Sequence, residues 1–211
     1  MGQKRFMGTK KLIGLTGKYC AGKNHASLLL KQRGFAALDV DKLGHEVIKT
    51  ETARLAARFG GDILGADGFV DRKRLGAKVF GKSEELAALE EIIHPAVNRE
   101  TLAWIQQRTE KVSVINAALL HRSSAFELLD AVIIVEAAFP VRLLRAKKRD
   151  GLPWSVLLKR FASQRDFSSQ YSRGKADIYR VQNSGFSCFN GRFLHRRLEN
   201  RIDEILSRIG M

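Results

Sequence analysis

Gly17, Gly22 and Lys23 stand at G-x-x-x-x-G-K spacing inside the run LIGLTGKYCAGKNHASLLL that begins at Leu12. A polyphosphate carries several negative charges that must be held away from water, and main-chain N–H groups at a helix N-terminus suit that task. Glycines let the chain curl closely around the phosphates, and a Lys amine neutralises their β and γ oxygens. The candidate nucleotide-binding segment is therefore Gly17, Lys18, Tyr19, Cys20, Ala21, Gly22, Lys23 and Asn24, with His25 as a neighbour. Read blandly, the same run is a strand-to-helix turn and Lys23 a surface charge. An apolar run before it and a helical pattern after it favour the loop, and with it Mg·ATP as the ligand.

Asn24 fills the place where such loops carry Ser or Thr, whose hydroxyl ligates Mg²⁺. Magnesium wants hard oxygens in tight octahedral geometry. Asn offers a carbonyl oxygen on a longer side chain, so either the ion shifts or a water intervenes. Asn24 is the candidate metal ligand on those terms.

A second constellation lies in Leu38-Asp39-Val40-Asp41, at the end of the next apolar run. In a βαβ unit the carboxyl ends of the strands face one crevice, so an acid there can take a proton from an attacking hydroxyl or hold a metal water. Asp39 and Asp41 share a face if the strand continues extended. Alternatively both cap the following helix, each worth about 1 kcal/mol. Catalysis is expected of Asp41 and capping of Asp39.

Arg142, Arg145 and Arg149 recur at i, i+3 and i+7 and so share one helix face. Guanidinium groups on a closing cover stabilise the charge of a transferring phosphoryl group and exclude water. Arg149, beside the break at Gly151, is expected nearest the phosphates, with Arg145 next; a solvated basic face is the plain alternative. Arg160 and Gln164 are expected to line the same cavity.

These groups need a scaffold, and the apolar patterning supplies one. Five short β-branched or apolar runs stand out, 11–16, 36–40, 112–117, 131–136 and 178–183, and several are nearly continuous, as strands buried on both faces of a parallel sheet should be. Residues 22–33 and 42–59 read as helices ended by Gly34 and by Gly60-Gly61. Residues 45–110 contain no strand signal but several helical stretches, including 84–93 and 95–109, which points to an inserted helical subdomain with a turn-like GADGFVD inside it. A second strandless block, 141–176, is broken by Gly151 and Pro153 and reads as a cover. The alternation argues an α/β fold with helices on both faces.

The totals bound the rest. A chain of 211 residues accommodates one main core with an insertion. Its longest apolar runs fall far short of the roughly 20 residues of a membrane span. The basic start MGQKRFMGTKK lacks the apolar stretch of a secretory signal, so a leader or an alternative start at Met7 is expected instead. Cys20 and Cys188 are the only cysteines, too few for a disulfide framework or zinc site, and a reducing cytoplasm fits. The net charge of +15 sits mainly at the end: 16 of 37 Lys and Arg but only six of 22 acids follow residue 140. That suits a phosphorylated small ligand as well as a nucleic acid, and nucleic acid is disfavoured because no such binding motif accompanies it.

The loop, the LDVD strand, FGGDILGADGFVDRKRLGAKVF, EEIIHP, RAKKRD, RFASQ and ADIYRVQNSG follow in an order that resembles the dephospho-coenzyme A kinase family from Leu12 to about Gly185. The resemblance implies ATP-dependent phosphorylation of the ribose 3′-hydroxyl of dephospho-coenzyme A, the last step of coenzyme A synthesis. It implies a P-loop kinase core with a five-stranded, mostly parallel sheet, made of 1–44, 111–140 and 177–211. It further implies a helical substrate domain, 45–110, and a helical lid, 141–176. Carried across, the base falls on Asp41, the lid arginines on Arg145 and Arg149, the coenzyme A side on His94, Pro95 and Leu119, and an adenine neighbour on Asn183. Asn24 departs from the family pattern, as does Ala118, where the family commonly has Pro before Leu-Leu; its loss relaxes the turn after Asn116.

Other residues draw quieter expectations. His94 is either a substrate contact or a helix-end residue. Cys20 is expected to pack inertly, although loop donors and a helix dipole could lower its pKa. Trp154 is expected to anchor the lid, and Phe186, Phe189 and Phe193 to form a packed C-terminal stretch. A monomer is favoured. The competing functions are another P-loop small-molecule kinase, such as one for nucleoside monophosphates, or a binding module for nucleotides or nucleic acid without catalysis.

Overall fold

A computed structural model places residues 10–164, 167, 170–171, 175–184 and 192–210. The leader, Phe186 and Phe189 lie outside the described residues, as does the side chain of Phe193. Five strands, β1 (Lys11–Gly17), β2 (Ala36–Asp39), β3 (Val112–Asn116), β4 (Ala131–Glu136) and β5 (Asp177–Gln182), form one sheet in the order β2-β3-β1-β4-β5. Each lies within one residue of its expected run. β1 pairs in parallel with β3 and β4, and β4 with β5. Because β1 is central and every residue from Leu12 to Gly17 is buried, its sequence is apolar on both faces rather than alternating.

The chain divides into two compact units, residues 1–38 with 108–211, and residues 39–107. In the first, α1 (Lys23–Gln32) and α8 (Arg192–Arg208) cover one face of the sheet. Ala26, Leu29, Leu30, Leu198 and Ile202 pack there on Ile13, Leu15 and Ile133. Arg33, just after α1, grips Asp203 of α8 through Nε at 2.6 Å and a second nitrogen at 2.9 Å. The other face of β1 meets Leu120 and Leu129, from the short 3₁₀ segments after β3. Between β4 and β5 run α6 (Phe139–Asp150) and α7 (Trp154–Ala162), joined through Gly151 at φ +66° and Pro153.

The second unit is helical: α2 (Val40–Thr50), α3 (Thr52–Phe59), α4 (Arg72–Val79) and α5 (Ser83–Gln106). Two expectations change here. The helix over 42–59 is two helices, interrupted at Glu51. Thr50 and Thr52 hydroxyls donate to the Val47 and Lys49 carbonyls at 3.0 and 2.7 Å, offering the backbone an alternative to the regular ladder. The stretches 84–93 and 95–109 are instead one helix with Pro95 inside it, so His94 is a half-buried mid-helix residue rather than a helix end. An interior Pro removes a hydrogen bond and costs about 3 kcal/mol. Leu89, Ile92 and Ile93 offset that by packing on the core of Leu55, Phe59, Ile63, Val70, Leu75 and Val79. GADGFVD is a turn as expected, with Leu64 and Val70 bridged antiparallel and Gly68 at φ +78°. Among the described residues no helix is long and apolar enough to cross a membrane.

Candidate nucleotide site

The loop between β1 and α1 is shaped by close approaches that only small residues allow. A Cβ on Gly17 would lie 2.6 Å from the Val135 carbonyl oxygen of β4, so glycine is what lets the two strands meet. Gly22 is the N-cap of α1 at φ +105°, and a Cβ there would meet Asn183 Nδ2 at 2.2 Å. Between them the chain curls, with Ala21 N–H donating to Lys18 O at 2.9 Å and Cys20 at φ +59°. No side chain caps α1 and no acid stands in its first turn, so the positive end of the helix dipole faces outward, an anion site by construction. Lys23 opens that turn, half-buried, with Asn24 exposed beside it and His25 half-buried. Gly17→Ala is expected to push β4 away, lowering Tm by about 3–9 °C and weakening ATP binding, as thermal melts and titration would read.

The loop is held from behind by the end of β5 and by α6. Asn183 Nδ2 donates to Ala21 O at 2.8 Å, while Arg145 donates to Ala21 O at 3.2 Å and to Asn183 O at 2.9 Å. Gln164 accepts from Tyr19 N–H at 2.7 Å. Arg142, 8% exposed, donates to the Ala137 and Tyr19 carbonyls and lies 4.9 Å from the Phe161 ring centroid. The three arginines share the expected face, and each meets a different part of the loop.

Arg149 takes a position of its own. Its guanidinium lies 5.0 Å from the Tyr19 ring centroid and bonds Asp150 at 2.8 Å, while Arg145 is the one at the loop backbone. Asp150 also accepts from the Tyr19 hydroxyl and faces Arg160 at 3.7 Å. Arg149, then Tyr19, hold its carboxyl down to about 2. Since the folded pKa is depressed, the latch is fully present above the unfolded carboxylate value of about 3.9 and is lost as pH falls toward about 2. Tyr19 absorbance followed from pH 5 to pH 2 is expected to change in that window in the wild type and not in Asp150→Asn.

Some expectations are redistributed. A cavity of about 650 Å³ is lined by Lys18, Phe139, Arg142, Leu158, Lys159, Phe161, Ala162 and Gln164. Gln164 thus lines it, whereas Arg160 turns to the Tyr19 hydroxyl at 3.4 Å and to Asp150. α7 is anchored by buried Leu157 and Phe161 against Ala146, rather than by Trp154, which is 47% exposed under the Lys147 ammonium. Burial raises the Cys20 thiol, outweighing the lowering by Arg149, so the loop does not activate it. Leu119 is exposed after β3, and Ala118 O accepts from Thr16 Oγ1 at 3.4 Å.

Two residues that pattern reasoning passed over stand beside the loop. Asn116, 1% exposed at the end of β3, donates from Nδ2 to Asn24 Oδ1 at 3.4 Å, and its own Oδ1 has no partner among the described residues. An unpaired buried amide oxygen costs about 1–3 kcal/mol. Its signal was a polar residue closing an apolar strand. Tyr171, 1% exposed, has its hydroxyl 3.2 Å from Thr16 Oγ1 and 3.3 Å from His121 Nδ1, tying the chain after α7 to β1.

The helical unit begins at Asp39, the last residue of β2, whose side chain accepts from Lys42 N–H at 3.2 Å, so Asp39 is the expected cap. The extended reading of LDVD does not hold: Asp41 lies in the first turn of α2, exposed, because the cap turns the chain into the helix one residue earlier. α2 and α5 pack closely where a Cβ on Gly44 would meet Val97 at 4.0 Å, with Asp41 and His94 each three residues before that contact. Pro95 is exposed.

Comparison with known proteins converges on one family. The family model described as CoaE, dephospho-CoA kinase, matches residues 11–187. A dephospho-CoA kinase of Geobacter sulfurreducens is 34% identical over 92% of this chain and 96% of its own, and one of Anaeromyxobacter dehalogenans is 35% identical over 83% and 84%. The solved dephospho-CoA kinase of Campylobacter jejuni shares the fold at a TM-score of 0.65 and 22% identity, over 96% of this chain and 98% of that one. With its phosphate loop opening α1 off a central parallel strand, the chain belongs to the dephospho-CoA kinase family, enzymes that phosphorylate dephospho-CoA at the expense of ATP.

Proposed function

We propose that this chain transfers the γ-phosphoryl group of ATP to the ribose 3′-hydroxyl of dephospho-CoA through the residues assembled around the Gly17–Asn24 loop and the acid at Asp41. The observation that carries this reading is the uncapped α1 N-terminus, wrapped by a loop that Asn183 and Arg145 pin through the Ala21 carbonyl. Main-chain amides of the loop other than those of Tyr19 and Ala21, which donate within the protein, cradle the phosphates, and the Lys23 ammonium sits on the β and γ oxygens. Asp41 takes the proton of the 3′-hydroxyl as that oxygen bonds to the γ-phosphorus; the bond from the γ-phosphorus to the bridging oxygen breaks and ADP leaves. Arg145 and Arg149 face the charge that spreads over the transferring group.

His94, Pro95 and Leu119 are assigned to the coenzyme A side, and Asn183 and His25 to the nucleotide side. Residues 1–44, 111–140 and 177–211 serve as the nucleotide core, 45–110 as the substrate domain and 141–176 as the lid. Asn24 offers an amide oxygen, a donor of the hard type magnesium accepts. Magnesium, when bound with ATP, neutralises the phosphate oxygens. The enzyme is assigned to the cytoplasm as a monomer.

An acceptor panel tests this reading. ADP release is expected with dephospho-CoA, with a product heavier by one phosphate, and not with nucleoside monophosphates. Release with a nucleoside monophosphate and none with dephospho-CoA would contradict it.

A further inference from the structure

The amide pair beside the loop bears on how the cation is handled, an inference that rests on reading the loop as an ATP site. P-loop nucleoside triphosphatases hold Mg²⁺ with the Ser or Thr after the loop Lys and an Asp of a second motif. Here the residue after Lys23 is Asn24, and β3, which pairs with β1, ends in Asn116. The two amides meet at 3.4 Å, and the buried Asn116 Oδ1 has no partner among the described residues. Two acids of this unit are engaged elsewhere, Asp150 with Arg149 and Tyr19 and Glu136 with Arg180 and Gln182 at the end of β4, and Asp41 is assigned to the sugar hydroxyl rather than to the cation. Among the described residues no group of three or more His, Cys, Asp or Glu could hold a metal ion.

We propose that this enzyme receives the magnesium of Mg·ATP on a carboxylate-free seat, the paired amides of Asn24 and Asn116, so that the nucleotide itself carries the cation. A carboxylate at a strand end repels metal-free ATP until the cation intervenes, whereas a neutral amide adds no such charge. Asn116 acts as a positioning residue: its buried amide fixes the Asn24 side chain and keeps an oxygen in reserve for the hydrated ion. The consequence is weak coupling between metal and nucleotide, a property of binding rather than of turnover.

Calorimetric titration of the full chain with ATP in EDTA and with Mg·ATP reads that coupling directly, and Mn²⁺ titration followed by electron paramagnetic resonance reads metal binding alone. The wild type is expected to bind the two nucleotide forms within about fivefold of each other and to take up no Mn²⁺ below millimolar concentration. Asn116→Asp, and Asn24→Asp at the exposed position, are expected to widen the ratio about tenfold or more by weakening metal-free ATP. A wild-type ratio beyond about thirtyfold, or micromolar Mn²⁺ binding without nucleotide, overturns the proposal. ATP that binds in neither condition overturns the loop reading itself. The wild-type measurements decide the matter even where an acid at 116 prevents folding.

Discussion

Asp41→Asn is expected to lower kcat for dephospho-CoA phosphorylation by about 10²–10⁴ while leaving the affinity for ATP unchanged. The amide preserves size and can still hydrogen-bond a hydroxyl, but it cannot take its proton. The loss therefore falls on the chemical step rather than on KM. Asp39→Asn is the matched control. Its side chain accepts from Lys42 N–H at the start of α2, and Asn caps helices about as well as Asp. It should leave kcat near wild type. An Asp39 variant as impaired as the Asp41 variant would place the chemistry on the cap, two residues earlier than argued.

Lys23→Ala is expected to reduce kcat by about 10³ and to weaken ATP binding by about tenfold or more. Lys23 lies in the first turn of α1, which no side chain caps and no acid enters, and its ammonium is the cation proposed to meet the phosphates there. Removing it leaves the amides to hold the polyphosphate without a partner for the β and γ oxygens. Lys23→Arg should not restore turnover, since a planar fork replaces a compact point charge in a curled loop. Quantifying ATP affinity and single-turnover rates separates the binding loss from the catalytic one. Unchanged turnover in Lys23→Ala would make Lys23 a surface charge after all.

Much of this was legible in residue order because the controlling forces are local. The strands were readable to within a residue because β1, β3 and β4 are buried on both faces and so written as unbroken apolar runs. α1 was marked by its glycines at both ends. The misreadings arise where a longer-range term wins. Pro95 looks like a helix stop, yet packing on the core of Leu55 and Phe59 carries α5 through it. Thr50 and Thr52 bond back to the main chain and split a helix whose apolar pattern is continuous. At LDVD, a strand and a cap compete for the same acids, and the cap prevails after Asp39.

The site divides along the same line. Periodicity places Arg142, Arg145 and Arg149 on one face, but which of them reaches Ala21 depends on where Asn183 and Asp150 lie once the sheet has formed. Asn116 was out of reach for the same reason, since its partner Asn24 is 92 residues away in sequence. α8, which closes the sheet face over α1, carries no motif and shows itself only through Leu198, Ile202 and Ile205 in the core.

The most direct test of the central claim is a crystal structure of the enzyme with a non-hydrolysable ATP analogue and dephospho-CoA bound together. The account predicts Lys23 Nζ on the β and γ oxygens and an Asp41 carboxylate oxygen about 2.6–3.2 Å from the ribose 3′-oxygen, in one enclosed site. Lys23 on the phosphates with Asp41 turned to solvent away from the sugar would contradict it.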